Sequence, residues 1–238
     1  ATGTGITGGD PMLDFDKTVE AVIALKAAFG VEHHIHCYTS IPIKPEQAKE
    51  LGEAGLDELR FHLLDLSLDR YRDSVNAASE AGICVGIELP AEPDKKEKLQ
   101  SLLLQLHDSP VEFLNLNELE ITVGNQENMD VRGFNLAGGI TAAAEGSAAM
   151  AIELKESAKE LDFHVKYCSS SYKDAGQLRS RFRRRAEASL RPYEVLTEDD
   201  TIVFGAIPCS LEDAAEDVEE LASTLELHEG WIRYDGPT

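Results

Sequence analysis

The sequence predicts an α/β fold in which helices cover a sheet of parallel strands, and three observations predict it. Short segments rich in apolar and β-branched residues alternate with longer amphipathic segments. The alternation recurs about every 25–30 residues, the length of a strand-helix unit. Polar residues gather where the short segments end. Strands that alternate with helices in this way form parallel sheets with the helices outside.

Each predicted element has a local reason. The helix at 16–29 has one apolar face, and the helix at 45–54 has Pro45 near its start and Gly55 past its end. The helix at 94–107 carries four leucines on one side. Strands are predicted at 5–7, 33–39, 58–63, 83–89, 111–116 and 163–167, and further helices at 69–81 and 141–161.

The pattern changes after the sixth strand, so we predict a barrel-like domain at 1–174 and a C-terminal extension at 175–238. Between 118 and 139 lies a long irregular stretch, and such loops are usually functional or mobile. The extension is predicted to hold an arginine-rich helix at 172–188 and a hairpin of strands 194–197 and 202–207. An acidic helix at 211–225 and a strand at 231–234 would follow.

The charge balance excludes some classes of function. The chain has 238 residues, 44 acidic against 22 basic, and a net charge of −22. Acidic residues spread along the chain argue against nucleic acid as the main partner. They favour a protein adapted to high salt, as in a halophilic archaeon. No apolar run is long enough for a membrane span, and no signal peptide is evident, so a cytoplasmic location is expected.

The four cysteines are widely spaced, at Cys37, Cys84, Cys168 and Cys209. None of the spacings suits structural zinc or a local iron–sulfur loop. Free thiols are therefore expected.

Polar residues concentrate at the predicted carboxyl ends of the strands, where parallel α/β folds bind ligands. The first end is Gly8-Gly9-Asp10-Pro11, whose glycines bare their peptide groups and whose carboxylate can hold an ammonium. The other ends contribute His34, His36, Tyr38, Thr39, Ser40, Arg60, His62, Asp65, Gly86, Glu88, Pro90, Asn115, Asn117, Glu118, Glu120, Lys166, Cys168, Ser169 and Ser170.

These strand ends resemble the partial barrel of the radical S-adenosylmethionine superfamily. Gly8-Gly9-Asp10-Pro11 is similar to the Gly-Gly-Glu-Pro turn after that family's second strand, with Asp in place of Glu. The stretch 36–40 is similar to the end of the third strand, and 82–88 to the fifth, with spacing that departs by one residue. The stretch 164–170, followed by Lys-Asp-Ala, resembles an archaeal branch related to pyruvate formate-lyase activating enzymes.

The resemblance implies a partial (β/α)6-type barrel that lacks its first strand and cluster loop. It implies S-adenosylmethionine and a [4Fe–4S] cluster as cofactors, and an electron donor such as ferredoxin or flavodoxin. The intact enzyme would generate a 5′-deoxyadenosyl radical to act on a small-molecule or protein substrate. The residues carried over as cofactor-binding are Gly8, Gly9, Asp10, Pro11, Thr39, Glu88, Asn115 and Asn117.

The family's Cys-x3-Cys-x2-Cys loop does not occur in this sequence. The cluster cysteines are therefore expected upstream of Ala1, in a longer protein, and this piece alone would be inactive.

Other interpretations remain open. His34 and His36 share a strand face and can form a metal pair, completed by His62, Glu88 or His164, as in metal-dependent barrel hydrolases. A non-catalytic binding module is also possible, in which the glycine turn is an ordinary turn. Cys168 is interpreted as a buried thiol, with a cluster ligand or radical relay as alternatives.

The helix around Arg179–Arg185 allows two interpretations. It can contact phosphate or RNA. Alternatively, Leu178 and Phe182 pack inward while the arginines pair with the acidic body of the chain, which we favour.

Overall fold

The computed structural model describes residues 3–161 and 163–205. The chain divides into two compact units between Tyr172 and Lys173. The predicted acidic helix at 211–225, the strand at 231–234 and Cys209 lie outside the described residues. No helix within the described ranges combines the length and the apolar character that crossing a bilayer requires.

The first unit is built on one parallel sheet with strand order β1-β2-β3-β4-β5-β6. Every neighbouring pair is parallel, as the alternation of strands and helices predicts. The sheet is that of a partial barrel, and the predicted fold class is confirmed. The strands are β1 Gly3–Ile6, β2 His34–Thr39, β3 Glu58–Phe61, β4 Cys84–Ala91, β5 Phe113–Glu118 and β6 His164–Cys168.

Helices follow the strands of this sheet. They are α1 Phe15–Phe29, α2 Pro45–Ala54, α3 Arg72–Glu80, α4 Lys96–His107, α5 Gln126–Val131, α6 Ser147–Glu160 and α7 Ser170–Tyr172. Helices α1 to α6 connect successive strands and cover one face of the sheet, and the short α7 follows β6. The helix termini follow the predicted residues: Pro45 opens α2, and Gly55 ends it with a φ of 97°, a conformation that favours glycine.

The core lies between this helical layer and the sheet. The four leucines predicted on one side of α4, Leu99, Leu102, Leu103 and Leu106, are all buried. Side chains that point outward from the sheet meet them, among them Ile35, Leu59, Phe61, Val85 and Ile87, which are fully buried. One face of the sheet therefore provides the hydrophobic contribution to folding.

The helix predicted at 141–161 begins later, at Ser147. Residues 143 and 144 instead form isolated β-bridges with Glu120 and Leu136, and these bridges order part of the long irregular stretch. Ser147 then closes the connection, because its hydroxyl donates to the Ala91 carbonyl at 2.7 Å and accepts from the Leu119 N–H at 2.8 Å.

The second unit contains the predicted arginine helix and hairpin. A π-helical segment, Lys173–Leu178, runs into α8, Arg179–Ser189, and β7 Val195–Leu196 pairs antiparallel with β8 Ile202–Val203. The prediction that Leu178 and Phe182 pack inward is wrong, since both are exposed and Ala186 is the buried residue of α8. An arginine-dense helix presents few apolar side chains, and the smallest of them occupies the packed position.

The described ion pairs of this helix differ from the predicted pairing with the acidic body of the chain, because their acidic partners belong to the second unit. Arg179 and Arg183 both pair with Asp200, at 3.2 Å and 2.8 Å, and Arg183 also pairs with Glu187. These arginines therefore have acidic partners on their own unit.

Candidate functional site

The glycine turn after β1 has the backbone that its sequence predicts. Gly8 and Gly9 have φ values of 105° and 71°, and open space surrounds the position of a Cβ at either residue. Residues with side chains rarely adopt these angles, so the turn needs glycine for its backbone conformation and not for lack of space. Neither glycine has a side chain that would shield its own peptide groups from a ligand.

The Asp10 carboxylate ties this turn to the end of β2. Its Oδ1 accepts from the Thr39 hydroxyl at 2.7 Å and from the Met12 N–H at 3.1 Å. Its Oδ2 accepts from the N–H and hydroxyl of Ser40, at 2.7 Å and 2.8 Å. Four donors occupy both oxygens, so the carboxylate holds the turn in place, and the bare peptide groups beside it are the better ligands for an ammonium.

The same contacts set the charge of Asp10. Burial raises the pKa of this carboxyl, but the hydrogen bonds from Ser40, Thr39 and Met12 outweigh burial and bring the pKa below its ordinary value of 3.8. Asp10 is therefore ionised at neutral pH.

The inner face of the sheet, opposite the helices, is polar. Strand register places residues from neighbouring strands side by side on it, such as Tyr38 beside Arg60 and Glu88 beside Asn115. The polar members of this inner face are His34, His36, Tyr38, Glu58, Arg60, Glu88, Asn115, Asn117, His164 and Lys166.

Glu88 is the centre of the hydrogen-bond network on this face. Its Oε2 accepts from Arg60 at 2.8 Å and from the Asn115 amide at 3.2 Å, while Oε1 accepts from the Asn117 amide at 3.0 Å. Burial raises the pKa of Glu88, but the two amides and the guanidinium outweigh burial and hold the pKa below its ordinary value. The structure thus brings together three of the residues carried over as cofactor-binding, Glu88, Asn115 and Asn117, from β4 and β5.

Arg60 extends the network across the sheet. It also donates to the Tyr38 hydroxyl at 2.9 Å and to the Glu58 carboxylate. Its guanidinium lies 5.3 Å from the centre of the Tyr38 ring and 5.5 Å from that of Phe113, close enough for cation–π attraction. The inner face is therefore a connected set of charged, amide and aromatic groups that can bind a polar ligand with a flat ring.

Thr39 lies apart from this network. Its side chain belongs to the opposite face of β2, where it is buried and donates to Asp10. Thr39 is thus a supporting residue of the glycine turn in this structure.

The predicted metal residues separate into two groups. Ligand atoms of His34, His36 and Glu58 lie within 4.8 Å of one another, at the amino-terminal half of the strands. His62 instead lies 3.1 Å from the Glu88 carbonyl, near the carboxyl ends, and His164 begins β6. Parallel α/β enzymes act at the carboxyl ends, so this placement does not favour the hydrolase interpretation.

Sequence reasoning missed Glu58. The available evidence was its spacing: Glu58 and Arg60 alternate with the apolar residues Leu59 and Phe61, and alternate strand residues share a face. A charged pair spaced in this way within a strand indicates a polar inner face.

The described cysteines do not fit an iron–sulfur cluster. Cys37 is fully buried among core residues, and burial raises its pKa to about 12. Cys84 lies on β4 and Cys168 ends β6, two strands away in the sheet order. Among the described residues the possible metal-binding groups of three or more side chains include no cysteine.

Comparison with known proteins identifies relatives of this chain. A protein of Methanocaldococcus jannaschii, provisionally named a glycyl-radical enzyme activating enzyme, is 34% identical over 236 residues, which is 95% of this chain and 61% of that protein. A GTP 3′,8-cyclase of Lactiplantibacillus plantarum is 34% identical over 113 residues, 46% of this chain and 33% of that protein. No protein-family model matches.

Among solved structures, SuiB of Streptococcus suis, crystallised with S-adenosylmethionine, superposes with a TM-score of 0.50 at 12% identity. The match covers 70% of this chain and 39% of that one. At this identity the likeness concerns the fold. The chain spans about three fifths of the length of its archaeal relative. By the strand-end motifs, the partial-barrel fold and these relatives, the chain belongs to the radical S-adenosylmethionine superfamily, in the branch related to glycyl-radical enzyme activating enzymes.

Proposed function

We propose that this chain forms the S-adenosylmethionine-binding part of a radical enzyme. The proposal rests on one arrangement: hydrogen bonds to Asp10 attach the glycine turn to the end of β2. The inner face of the same sheet holds the hydrogen-bond network of Glu88. A ligand with an amino-acid end and a nucleoside end needs these two different environments.

The methionine end belongs at the turn. Carbonyl oxygens of Gly8 and Gly9 accept from the ammonium, and nothing larger than hydrogen on either Cα obstructs the approach. Asp10 lies adjacent to them, ionised, and adds a favourable field while it holds the loop. In this proposal the backbone carbonyls bind the ammonium, and the Asp10 carboxylate positions the turn.

The adenosine end belongs on the inner face. Asn115 and Asn117 donate their amide N–H groups to Glu88, which orients their amide oxygens as acceptors for a nucleoside. Glu88 accepts from ribose hydroxyls in its ionised form, and the rings of Tyr38 and Phe113 offer a flat surface to the base.

Bound S-adenosylmethionine supplies a carbon-centred radical when an iron–sulfur cluster reduces it. The described cysteines do not hold such a cluster, so the contribution of the described residues is binding and orientation. An electron donor such as ferredoxin or flavodoxin, and the substrate, complete the proposed system.

Calorimetric titration tests the proposal with three ligands: S-adenosylmethionine, methionine and adenosine. Gly9→Val forces a β-branched residue into a positive φ. We therefore expect it to lower the affinity for S-adenosylmethionine and for methionine by about tenfold or more. Adenosine affinity should remain unchanged. Asn117→Leu should lower the affinity for S-adenosylmethionine and for adenosine and leave the affinity for methionine unchanged.

The matched control is Gly30→Val. Gly30 also has a positive φ, 89°, and open space at its Cβ, but it ends α1. We expect it to lower stability without changing any of the three affinities. Equal affinity for S-adenosylmethionine in wild type and Gly9→Val would contradict the assigned role of the turn.

A further inference from the structure

The amino-terminal half of the inner face carries a second cluster that the proposed function does not use. His34 and His36 lie on one face of β2, and Glu58 opens the neighbouring strand opposite His36. One ligand atom from each lies within 4.8 Å of the other two. We propose that His34, His36 and Glu58 bind one divalent transition-metal ion, which ties β2 to β3.

The donor set indicates the class of metal. Two imidazoles and one carboxylate suit borderline ions such as Zn²⁺ and Fe²⁺ and leave positions open for water. Two atoms that each bind an ion at about 2.1 Å lie at most about 4.2 Å apart. Closing the cluster from 4.8 Å therefore needs only small side-chain rotations, and His34 is free to move because its side chain is 47% exposed.

Glycine on β1 leaves room for the histidines. Gly5 pairs with His36, and a Cβ on Gly5 would lie 2.6 Å from the His36 Nε2 atom. Any other residue at position 5 would displace the imidazole from its place. The absence of a side chain here thus sets the position of one proposed ligand.

Glu58 is oriented for the same role. Arg60 donates to its Oε1, which leaves Oε2 directed to His34, 3.6 Å from that residue's Nε2. An outer partner that fixes a ligating carboxylate is the usual support of a metal site. The charge balance also permits a cation, since Arg60 faces two carboxylates, Glu58 and Glu88.

The test is titration of the metal-free chain, purified without a polyhistidine tag, with Zn²⁺ alone. We expect one ion per chain and a rise in melting temperature with Zn²⁺. Substitution of a residue that supports a metal ligand lowers metal affinity by about 10- to 100-fold. His34 and His36 are proposed as ligands themselves, so we expect His34→Gln and His36→Gln each to lower Zn²⁺ affinity by about 100-fold or more. The Co²⁺ absorption spectrum reports the coordination geometry of the same variants.

His164→Gln is the control, because His164 is an exposed inner-face histidine on β6 and lies outside the cluster. It should bind Zn²⁺ as wild type does. His34→Gln alters an exposed side chain and should fold, as circular dichroism will show. Absence of stoichiometric binding to wild type would overturn the proposal. Undiminished Zn²⁺ binding by folded His34→Gln would also overturn it. Loss of Zn²⁺ binding in Cys84→Ser would do the same, because it would assign the ion to the Cys84 thiol.

Discussion

The two faces of the parallel sheet differ although they come from the same strands. On the helix-covered face, Leu59 and Phe61 of β3 are fully buried in the core. On the inner face of the same strand, Glu58 and Arg60 belong to a network of charges, amides and rings. Strand pleating puts successive residues on opposite faces, so each strand contributes to folding and to the candidate site in alternate positions.

Because one face is apolar and packed and the other is polar, we expect the two faces to respond differently to substitution. The helix-covered face should lose stability when side chains are truncated, because its atoms are close-packed. The inner face should lose ligand affinity first, because its groups act through hydrogen bonds and not through close apolar packing. Substitutions on the two faces should separate these effects.

Phe61→Ala should have the largest effect. Phe61 is fully buried and packs edge-on against Tyr71, with ring centres 6.0 Å apart. We expect a loss of about 3–5 kcal/mol in the free energy of unfolding, measured by urea denaturation. Asn117→Ala on the inner face should cost under about 1 kcal/mol yet weaken adenosine binding. Equal losses of stability in the two variants would refute the contrast between the faces.

Gly86→Ala tests a place where the inner face is itself tightly packed. The Phe113 ring lies directly over Gly86, so a methyl group there would overlap the ring. We expect a cost of up to about 3 kcal/mol, because overpacking forces the ring to shift. Gly124→Ala, in a loop where a Cβ meets only the Thr122 hydroxyl at 3.9 Å, should be close to neutral. A neutral Gly86→Ala would show that the ring can move freely.

Asp10→Asn should reveal a pH-dependent contribution. The folded-state pKa of Asp10 is lowered below its ordinary value of 3.8, so its ionisation stabilises the fold above that pH. The contribution is lost as the pH falls through the folded-state pKa. We expect Asp10→Asn to cost about 1–2 kcal/mol at pH 7 and progressively less in acid below pH 4.

Asp14→Asn provides the comparison for this pH effect, because the Asp14 side chain is 64% exposed and contacts only Lys17 among charged partners in the described chain. Its effect on stability should be small. A difference between wild type and Asp10→Asn that stays constant from neutral to acid pH would contradict the assignment.

Glu187→Gln should have the smallest effect and sets the baseline for charge pairs. Glu187 pairs with Arg183 one turn away on α8, and both side chains are about half exposed. Such pairs contribute about 0.5 kcal/mol or less, and salt weakens them. Thermal unfolding should detect little change. A loss comparable to that of Asp10→Asn would mean that an exposed ion pair contributes as much to stability as the part-buried hydrogen bonds of Asp10.

Much of the fold was predictable because its elements have local causes. The Leu99–Leu106 periodicity predicts a buried helix face, and Pro45 and Gly55 mark the ends of α2, all as observed. The start of α6 was not predictable in this way. Its predicted first turn instead forms bridges to Leu136 and to Glu120, which lie within the long irregular stretch.

For the candidate site, the sequence indicated which residues gather at the strand ends but not what each one contacts. Asp10 was predicted as an ammonium ligand, and the structure adds that four donors occupy its oxygens: the Met12 N–H, the Thr39 hydroxyl, and the N–H and hydroxyl of Ser40. Glu58 was missed as a site residue, because its alternation with Leu59 indicates a polar strand face but not that His36 of the neighbouring strand lies opposite it.

The amino-acid sequence alone predicts the order of strands and helices, the glycine turn and the polar residues at the strand ends. Periodicity, turn chemistry and alternation act over a few residues, so they can be recognised locally. The pairing of Arg60 with Glu88 and the convergence of His34, His36 and Glu58 were not predictable in this way. These contacts depend on strand register across the sheet, and register is set by the packing of the whole opposite face.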